Sequence, residues 1–147
     1  MKILFLPLSL LLAAGGTTIF AQSESVVNSR VMESVKKEFP GAQLVKWTGT
    51  QNYRVADFVL TDYRLQAFFS KQGELLETHR DLNYNQLPLV VMKELEKNFP
   101  NAGFSEIEEV NDNVGTRYIV RVETEKRKYK VIATADGTVS ITERSKK

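Results

Sequence analysis

The chain has 147 residues, 26% of them charged, and a formal net charge of only +2. Acidic and basic residues are interspersed, so the sequence lacks the basic patch by which nucleic-acid-binding proteins neutralise phosphates. It contains no cysteine, which excludes disulfides, a cysteine nucleophile and a cysteine-ligated zinc site.

The first 21 residues are typical of an export signal. Lys2 supplies a positive charge, residues 3–14 are almost wholly apolar, and Ala21 is a small residue suited to cleavage before Gln22. The apolar run is short for a bilayer span, and no second one follows it. We therefore predict an exported protein, periplasmic or secreted, with a single domain over residues 22–147 and no transmembrane segment in the mature chain.

The rest of the sequence contains an internal repeat. Residues 31–42 and 91–102 are identical at six of twelve aligned positions, at a spacing of 60 residues. Such a period indicates one supersecondary unit used twice, with the copies packed together to bury their apolar faces. A copy of this size would be marginally stable alone. We predict repeats over about 26–86 and 87–147 that share a core.

Each copy is predicted to begin with a helix that buries one face, because apolar residues recur at every fourth position. These residues are Val27, Val31, Val35 and Phe39 in the first copy, and Val91, Leu95 and Phe99 in the second. Pro88 suits the first turn of the second helix, where a missing N–H costs nothing. Pro40 and Pro100 end the helices, because a residue before proline avoids the α region.

After each helix the apolar period changes from 3.6 to 2, which indicates strands. The predicted strands cover residues 43–48, 53–60, 63–70 and 74–80, and then 104–110, 116–124, 128–134 and 138–143. Short turns between them predict antiparallel hairpins. Gly73 and Gly137 are 64 residues apart, so about four extra residues are expected in the first or second hairpin of the second copy. Residues 144–147 are expected to form a frayed tail.

The sequence thus predicts an α+β fold. A tandem α-β-β-β-β repeat would form a curved antiparallel sheet of about eight strands, with the two helices packed on one face. The opposite face of the sheet would remain free.

Four features of the second copy form a recognisable pattern: Leu87-Pro88, a helix ending at Phe99-Pro100 and Ala102, Tyr118 in a strand and Asp136-Gly137 in the last hairpin. This pattern resembles the PepSY-like domains of the beta-lactamase-inhibitor-like fold, exported proteins found largely in Bacteroidetes-type bacteria. The resemblance covers essentially the whole mature chain, although Gln72 precedes the glycine of the first copy, where an acidic residue is usual. The resemblance implies no enzyme activity. The inhibitor that names the fold binds its target across the concave sheet face, and no motif here carries that target over.

The sequence offers little basis for catalysis or metal binding. His79 is the only histidine, and a Ser-His-Asp arrangement with Asp57 or Asp81 lacks a nucleophile motif. Residues 111–115 echo a calcium loop faintly but have the composition of a hairpin turn. We therefore predict a protein that is not an enzyme and that uses no cofactor or metal.

Strand alternation indicates aromatic and basic side chains on the helix-free face. Phe68 and Phe69 must point to opposite faces, so at least one aromatic set is either exposed or covered by the C-terminal tail or a loop. Exposed aromatic residues on a rigid sheet are good interface anchors. The predicted partner-binding residues are Tyr53, Val55, Arg117, Arg121, Lys128 and Lys130. The four basic residues would suit an acidic partner, or their stems would simply shield the sheet with the charges in water.

The leading hypothesis is a non-enzymatic binding module for an unidentified protein or peptide, with enzyme inhibition as one form of such binding. The alternative is a carrier or sensor of a small ligand, held in a pocket between sheet and helices near Met32, Met92 or Trp47. An enzyme would require a cleft that brings together Asp57, His79 and Asp81.

Overall fold

The computed structural model describes residues 28–147, so the predicted export signal and Val27 lie outside the described residues. Helices α1 and α2 span Ser29–Glu38 and Leu89–Asn98, and a short 3-10 helix covers Tyr84–Gln86. The strands are β1 Gln43–Gly49, β2 Tyr53–Leu60, β3 Tyr63–Ser70, β4 Leu75–Leu82, β5 Gly103–Asp112, β6 Thr116–Glu123, β7 Arg127–Thr134 and β8 Val139–Lys146. Within this part of the chain, no helix has the length and apolarity needed to cross a membrane.

The eight strands form one antiparallel sheet in which each strand pairs with the next along the chain. This arrangement confirms the predicted hairpins and leaves β1 and β8 at the two edges. The junction between the copies is the pairing of β4 with β5, which joins them into a continuous sheet.

The two helices end in the same way. Phe39 and Phe99 have φ/ψ angles of −129°/66° and −133°/67°, outside the α region, and each precedes a proline as predicted. The start of α2 differs from the prediction by one residue. Pro88 has an extended ψ of 141° and lies before the first helical residue, where its carbonyl accepts a hydrogen bond from the Met92 N–H.

Both helices pack on the same face of the sheet. The directly opposed pairs Leu65↔Arg80, Arg80↔Glu109 and Glu109↔Tyr118 carry one face from the first copy to the second. Leu65 packs in the core cluster under α1 and Tyr118 in the cluster under α2. Val31 and Val35 of α1, like Val91 and Leu95 of α2, are buried in these clusters. The predicted fold class is therefore confirmed.

The extra residues of the second copy lie in its first two hairpins, as expected. Strand β5 has ten residues where β1 has seven, and the turn 124–126 has three where the turn 61–62 has two. The longer strand contains a bulge between Ser105 and Glu108, in which Glu106 adopts a φ of 46°. The insertion thus turns one carboxylate of β5 out of regular alternation.

The expectation of a frayed C-terminus is wrong. Strand β8 pairs with β7 as far as Lys146. The Arg144 guanidinium lies 5.5 Å from the centroid of the Tyr129 ring, and Lys147 forms an ion pair with Glu123. The tail is held because ladder hydrogen bonds and these cations continue the sheet beyond the last apolar residue.

The final hairpin of each copy packs against the helix of that copy. Ser34 Oγ of α1 donates a hydrogen bond to the Gly73 carbonyl at 2.6 Å. In the second copy, a Cβ added at Gly137 would lie 2.8 Å from Val90 Cγ2 of α2, and the φ of Gly137 is +94°. These glycines allow a turn to approach a helix closely, with a backbone conformation that other residues rarely adopt.

Candidate functional site

The predicted partner-binding residues share the side of the sheet opposite the helices, which we call the open face. They are Tyr53, Val55, Arg117, Arg121, Lys128 and Lys130. Each alternates along its strand with residues of the helix-backed cores, such as Ala56, Val120 and Val131. The structure therefore brings the six residues to one surface, and their role in binding stays a prediction.

An aromatic corner, formed by the rings of Tyr53, Phe68 and His79, lies at the first-copy end of the open face. The Phe68 ring centroid is 5.7 Å from that of Tyr53 and 4.6 Å from that of His79. Phe69 is fully buried on the helix side, so the two adjacent phenylalanines do face opposite ways. Val55, the cross-strand partner of Phe68, is only 7% exposed. Of the two predicted apolar contacts, Tyr53 thus offers surface, whereas Val55 supports the rings.

The four predicted basic residues all face carboxylates of the same protein. The ion pairs are Arg117 with Glu77 and Asp112, Arg121 with Glu106, Lys128 with Glu123, and Lys130 with Glu143. They form because oppositely charged side chains occupy neighbouring strands on one face. The expectation of a basic patch for an acidic partner therefore loses its basis in charge.

A charge network occupies the centre of the open face. His79 Nδ1 lies 2.7 Å from Glu108 Oε1, and His79 Nε2 lies 2.9 Å from Glu77 Oε1. Glu77 also accepts a hydrogen bond from Arg117 at 3.0 Å. Beneath this network, Val110 is completely buried although it belongs to the open face. The charged side chains thus cover an apolar floor and fix one another's positions.

Asp112 shapes the turn between β5 and β6, the first hairpin turn of the second copy. Its Oδ1 accepts hydrogen bonds from the N–H groups of Val114 and Gly115 at 2.8 and 3.1 Å, and its Oδ2 accepts one from Arg117. These hydrogen bonds hold the pKa of Asp112 below its usual range, and the bond from the Val114 N–H has the largest effect. The carboxylate is therefore used in the hairpin turn that the sequence predicts.

A second ionised carboxylate lies on β2. Asp57 accepts two hydrogen bonds from the Arg64 guanidinium, at 3.0 and 2.6 Å. This bidentate contact lowers the pKa of Asp57. Arg64 is thereby committed to Asp57 across the β2–β3 pair.

The arrangement offers little to an enzyme. His79 and Asp81 do line one cleft, together with Arg64, Gln66 and Glu108, but Asp57 is not among its lining residues. The two nitrogens of His79 already face glutamates. Among residues 28–147, no three acidic or histidine side chains converge in a group that could hold a metal ion.

The clefts also give the carrier hypothesis no support. Three clefts of the described chain are lined mainly by open-face residues, and a fourth is lined by residues 103–105, residues 123–125 and Lys147. None of the four includes Met32, Met92 or Trp47. Trp47 packs against the first core cluster and Met92 against the second. Met32 is 44% exposed on α1.

Several residues of the open face were not among the predicted partner-binding residues. They are Phe68, Glu77, Asp81, Glu106, Glu108 and Asp112. Alternation along β4 would have placed Glu77 and Asp81 on one face with His79. Their ion pairs depend on the register between strands, which alternation does not determine.

Comparison with known protein families identifies a family for this chain. A family model described as beta-lactamase-inhibitor-like, PepSY-like matches residues 51–144, which contain β2–β7, α2 and most of β8. The match thus leaves out α1 and β1, which the expected resemblance included. No curated protein matches the chain.

Solved structures with the same architecture come from Bacteroides species. A BLIP-like protein from Bacteroides fragilis aligns with a TM-score of 0.70 at 22% identity, covering 81% of this chain and 85% of its own. A candidate periplasmic protein from Bacteroides eggerthii aligns with a TM-score of 0.70 at 19% identity, covering 82% of this chain and 88% of its own. At these identities the likeness establishes the fold alone.

Proposed function

The chain belongs to the beta-lactamase-inhibitor-like, PepSY-like family, and from this we propose that it is an exported, non-enzymatic module that binds a protein or peptide on its open face. The observation that carries the proposal is the aromatic corner. Tyr53 and Phe68 present partly exposed rings on the side of the sheet that neither helix covers. Rings of this kind supply most of the binding energy in many protein interfaces.

Side chains of the open face also contact one another. They are linked across strands β4, β5 and β6 by Glu77, Glu108 and Arg117. A surface that is already fixed loses little side-chain entropy on binding, which favours affinity. The same contacts make the face a poor catalytic centre, because its acids and bases are occupied by hydrogen bonds to one another.

The predicted export signal supports a partner outside the cytoplasm. The N-terminal segment has the features of a signal peptide, and the Bacteroides eggerthii relative is described as a candidate periplasmic protein. We propose that the mature protein acts in the periplasm or outside the cell. Inhibition of an enzyme is one form that the binding would take.

The test is affinity capture with matched variants. The full chain is expressed, purified from the cell envelope, immobilised and exposed to an envelope extract. The open-face variant is Tyr53→Ala with Arg121→Glu. The control carries Tyr63→Ala with Lys93→Glu, which likewise removes one tyrosine ring and reverses one charge, at exposed positions off the open face.

We expect a protein that the wild type and the control retain and that the open-face variant loses. Retention of the same proteins by all three forms would show that the open face is not the binding surface. Far-ultraviolet circular dichroism of each form confirms that the substitutions leave the fold intact.

A further inference from the structure

The two central strands of the open face carry an unusual charge pattern. Strands β4 and β5 direct five carboxylates towards this side and contribute neither lysine nor arginine to it: Glu77, Asp81, Glu106, Glu108 and Asp112. Arg80, the arginine of β4, lies on the helix side, where it pairs with Glu109. Cations for the five carboxylates must therefore come from other strands or from outside the protein.

Four of the five carboxylates contact an arginine or the His79 ring within the protein. Arg117 bonds Glu77 and Asp112, Arg121 bonds Glu106, and His79 lies against Glu108. Asp81 is the exception, because within residues 28–147 its carboxylate has no ion pair and no hydrogen bond. The charge of Asp81 acts on Arg64, but the hydrogen bonds of that guanidinium go to Asp57. Of the five carboxylates on β4 and β5, Asp81 is thus the one that no side chain of the described residues pairs with.

Asp81 stands where two clefts of the open face meet. Asp81 and Glu108 line both clefts, one extending towards Gln66 and the other towards Ile119. The cations that line these clefts, Arg64, Arg121 and Lys130, are paired with Asp57, Glu106 and Glu143. A lysine or arginine that entered the second cleft would therefore meet the carboxylate of Asp81 at its charged end and Ile119 along its stem. This combination suits such side chains, whose stems are apolar and whose ends are hydrated.

The aromatic corner lies within reach of the same partner segment. Phe68 is directly opposite Glu77, and Asp81 lies four residues further along β4, roughly 13 Å away. An extended peptide covers about 13 Å in four residues. One short segment can therefore contact both places at once.

We propose that the partner bound by the open face is basic at its contact. It presents a lysine or arginine to Asp81 and a large apolar side chain to the aromatic corner. This inference rests on the proposed function and specifies the chemistry of the partner. It reverses the acidic partner that the positions of Arg117, Arg121, Lys128 and Lys130 suggest in the sequence.

The test uses two capped pentapeptides that differ in one charge. One has arginine first and tryptophan fifth, with a glycine-serine-glycine spacer, and the other has glutamate in place of arginine. Each is titrated at millimolar concentration into the isotope-labelled protein, purified from the envelope of cells that express the full chain. Amide shifts are followed by nuclear magnetic resonance.

We expect the arginine peptide to shift the amides of Asp81, Ile119 and Phe68 and to bind several-fold more tightly than the glutamate peptide. Asp81→Asn should reduce the affinity for the arginine peptide by about threefold, which is the effect expected from losing an exposed ion pair. The matched control, Glu33→Gln on an exposed position of α1, should leave its affinity unchanged. Asp81 is exposed and unbonded among the described residues, so its substitution should not affect folding.

Equal or tighter binding of the glutamate peptide would overturn the inference, as would the same affinity for wild type and Asp81→Asn. Absence of any shift on the open face with the arginine peptide would also overturn it. None of these results bears on the capture experiment. A partner lost only by the open-face variant would still support the proposed function if its contact proved acidic.

Discussion

Arg117 on β6 donates a hydrogen bond to Glu77 on β4 at 3.0 Å, across the intervening strand β5. The same guanidinium also bonds Asp112 of β5. One side chain of the second copy thereby links the last strand of the first copy to the sheet that follows. A residue that the sequence suggests as a partner contact thus also connects the two copies.

Replacing Arg117 should therefore cost more stability than replacing a comparable cation of the open face. Arg117→Met leaves Glu77 and Asp112 without their shared donor, and we expect a loss of about 2 kcal/mol in the free energy of unfolding. Arg121→Met breaks a single ion pair, to Glu106, which is more exposed than the pairs of Arg117. This variant should cost less than about 1 kcal/mol. Urea unfolding of both variants measures the difference. Equal losses would mean that the Arg117 contacts contribute no more than a surface pair.

The close approach of the last turn to α2 predicts a strong effect at Gly137. Gly137→Ala would place a Cβ 2.8 Å from Val90 Cγ2 at a φ of +94°. Steric conflict and backbone strain together should cost about 2 kcal/mol, read from the urea midpoint. Gly103→Ala is the control, since its added Cβ would meet only a carbonyl oxygen at 3.9 Å. That variant should stay within about 0.5 kcal/mol of the wild type.

The phenol of Tyr84 should titrate unusually late. Burial and the hydrogen bond to Glu96, at 2.9 Å, raise the pKa of Tyr84 to about 12. The pKa of Tyr84 in the folded protein lies above the ordinary value of 10.0. The neutral phenol therefore contributes its full stability below pH 10.0, and this stability is lost as pH rises towards 12. The phenolate absorbance that Tyr84→Phe removes should therefore appear above the pH at which exposed tyrosines ionise. Its appearance near pH 10.0 would contradict the described environment of the ring.

The Asp57–Arg64 contact predicts a loss of stability in acid. Because Arg64 lowers the pKa of Asp57, the carboxylate contributes stability above its ordinary value of 3.8 and loses it as pH falls through the lowered folded value. Asp57→Asn should therefore reduce stability at neutral pH. The stability of this variant should also decrease less than that of the wild type as the pH is lowered. Urea midpoints from about pH 6 to about pH 2 measure both effects. Parallel curves for the two proteins would show that the contact contributes nothing.

The helices and strands could be predicted because their signals are local. The four-residue spacing of Val91, Leu95 and Phe99 defines one face of α2 without knowledge of any other element. Alternation likewise places Tyr118 and Val120 in the core. The repeat added strength, because a pattern found twice in one chain is unlikely to arise by chance.

The properties of the open face could not be predicted in the same way, because they depend on pairing between strands. The sequence shows Arg121 on that face, but its partner Glu106 lies on a bulge that shifts the register of β5. Val55 belongs to the open face yet is buried, because Phe68 lies opposite it on β3. The net charge of a surface depends on all the strands that form it, and the alternation within one strand shows only the charges of that strand.

The central claim is that the open face is occupied in the protein's own environment, and hydroxyl-radical footprinting tests it most directly. Oxidation of Tyr53 and Phe68 is compared between the purified protein in buffer and the same protein in an envelope extract of the cells that produce it. Tyr63, 43% exposed and on the helix side, serves as the internal reference. We expect the extract to protect Tyr53 and Phe68 several-fold and to leave Tyr63 unchanged. Equal oxidation of Tyr53 in both samples, or protection of Tyr63 instead, would contradict the claim.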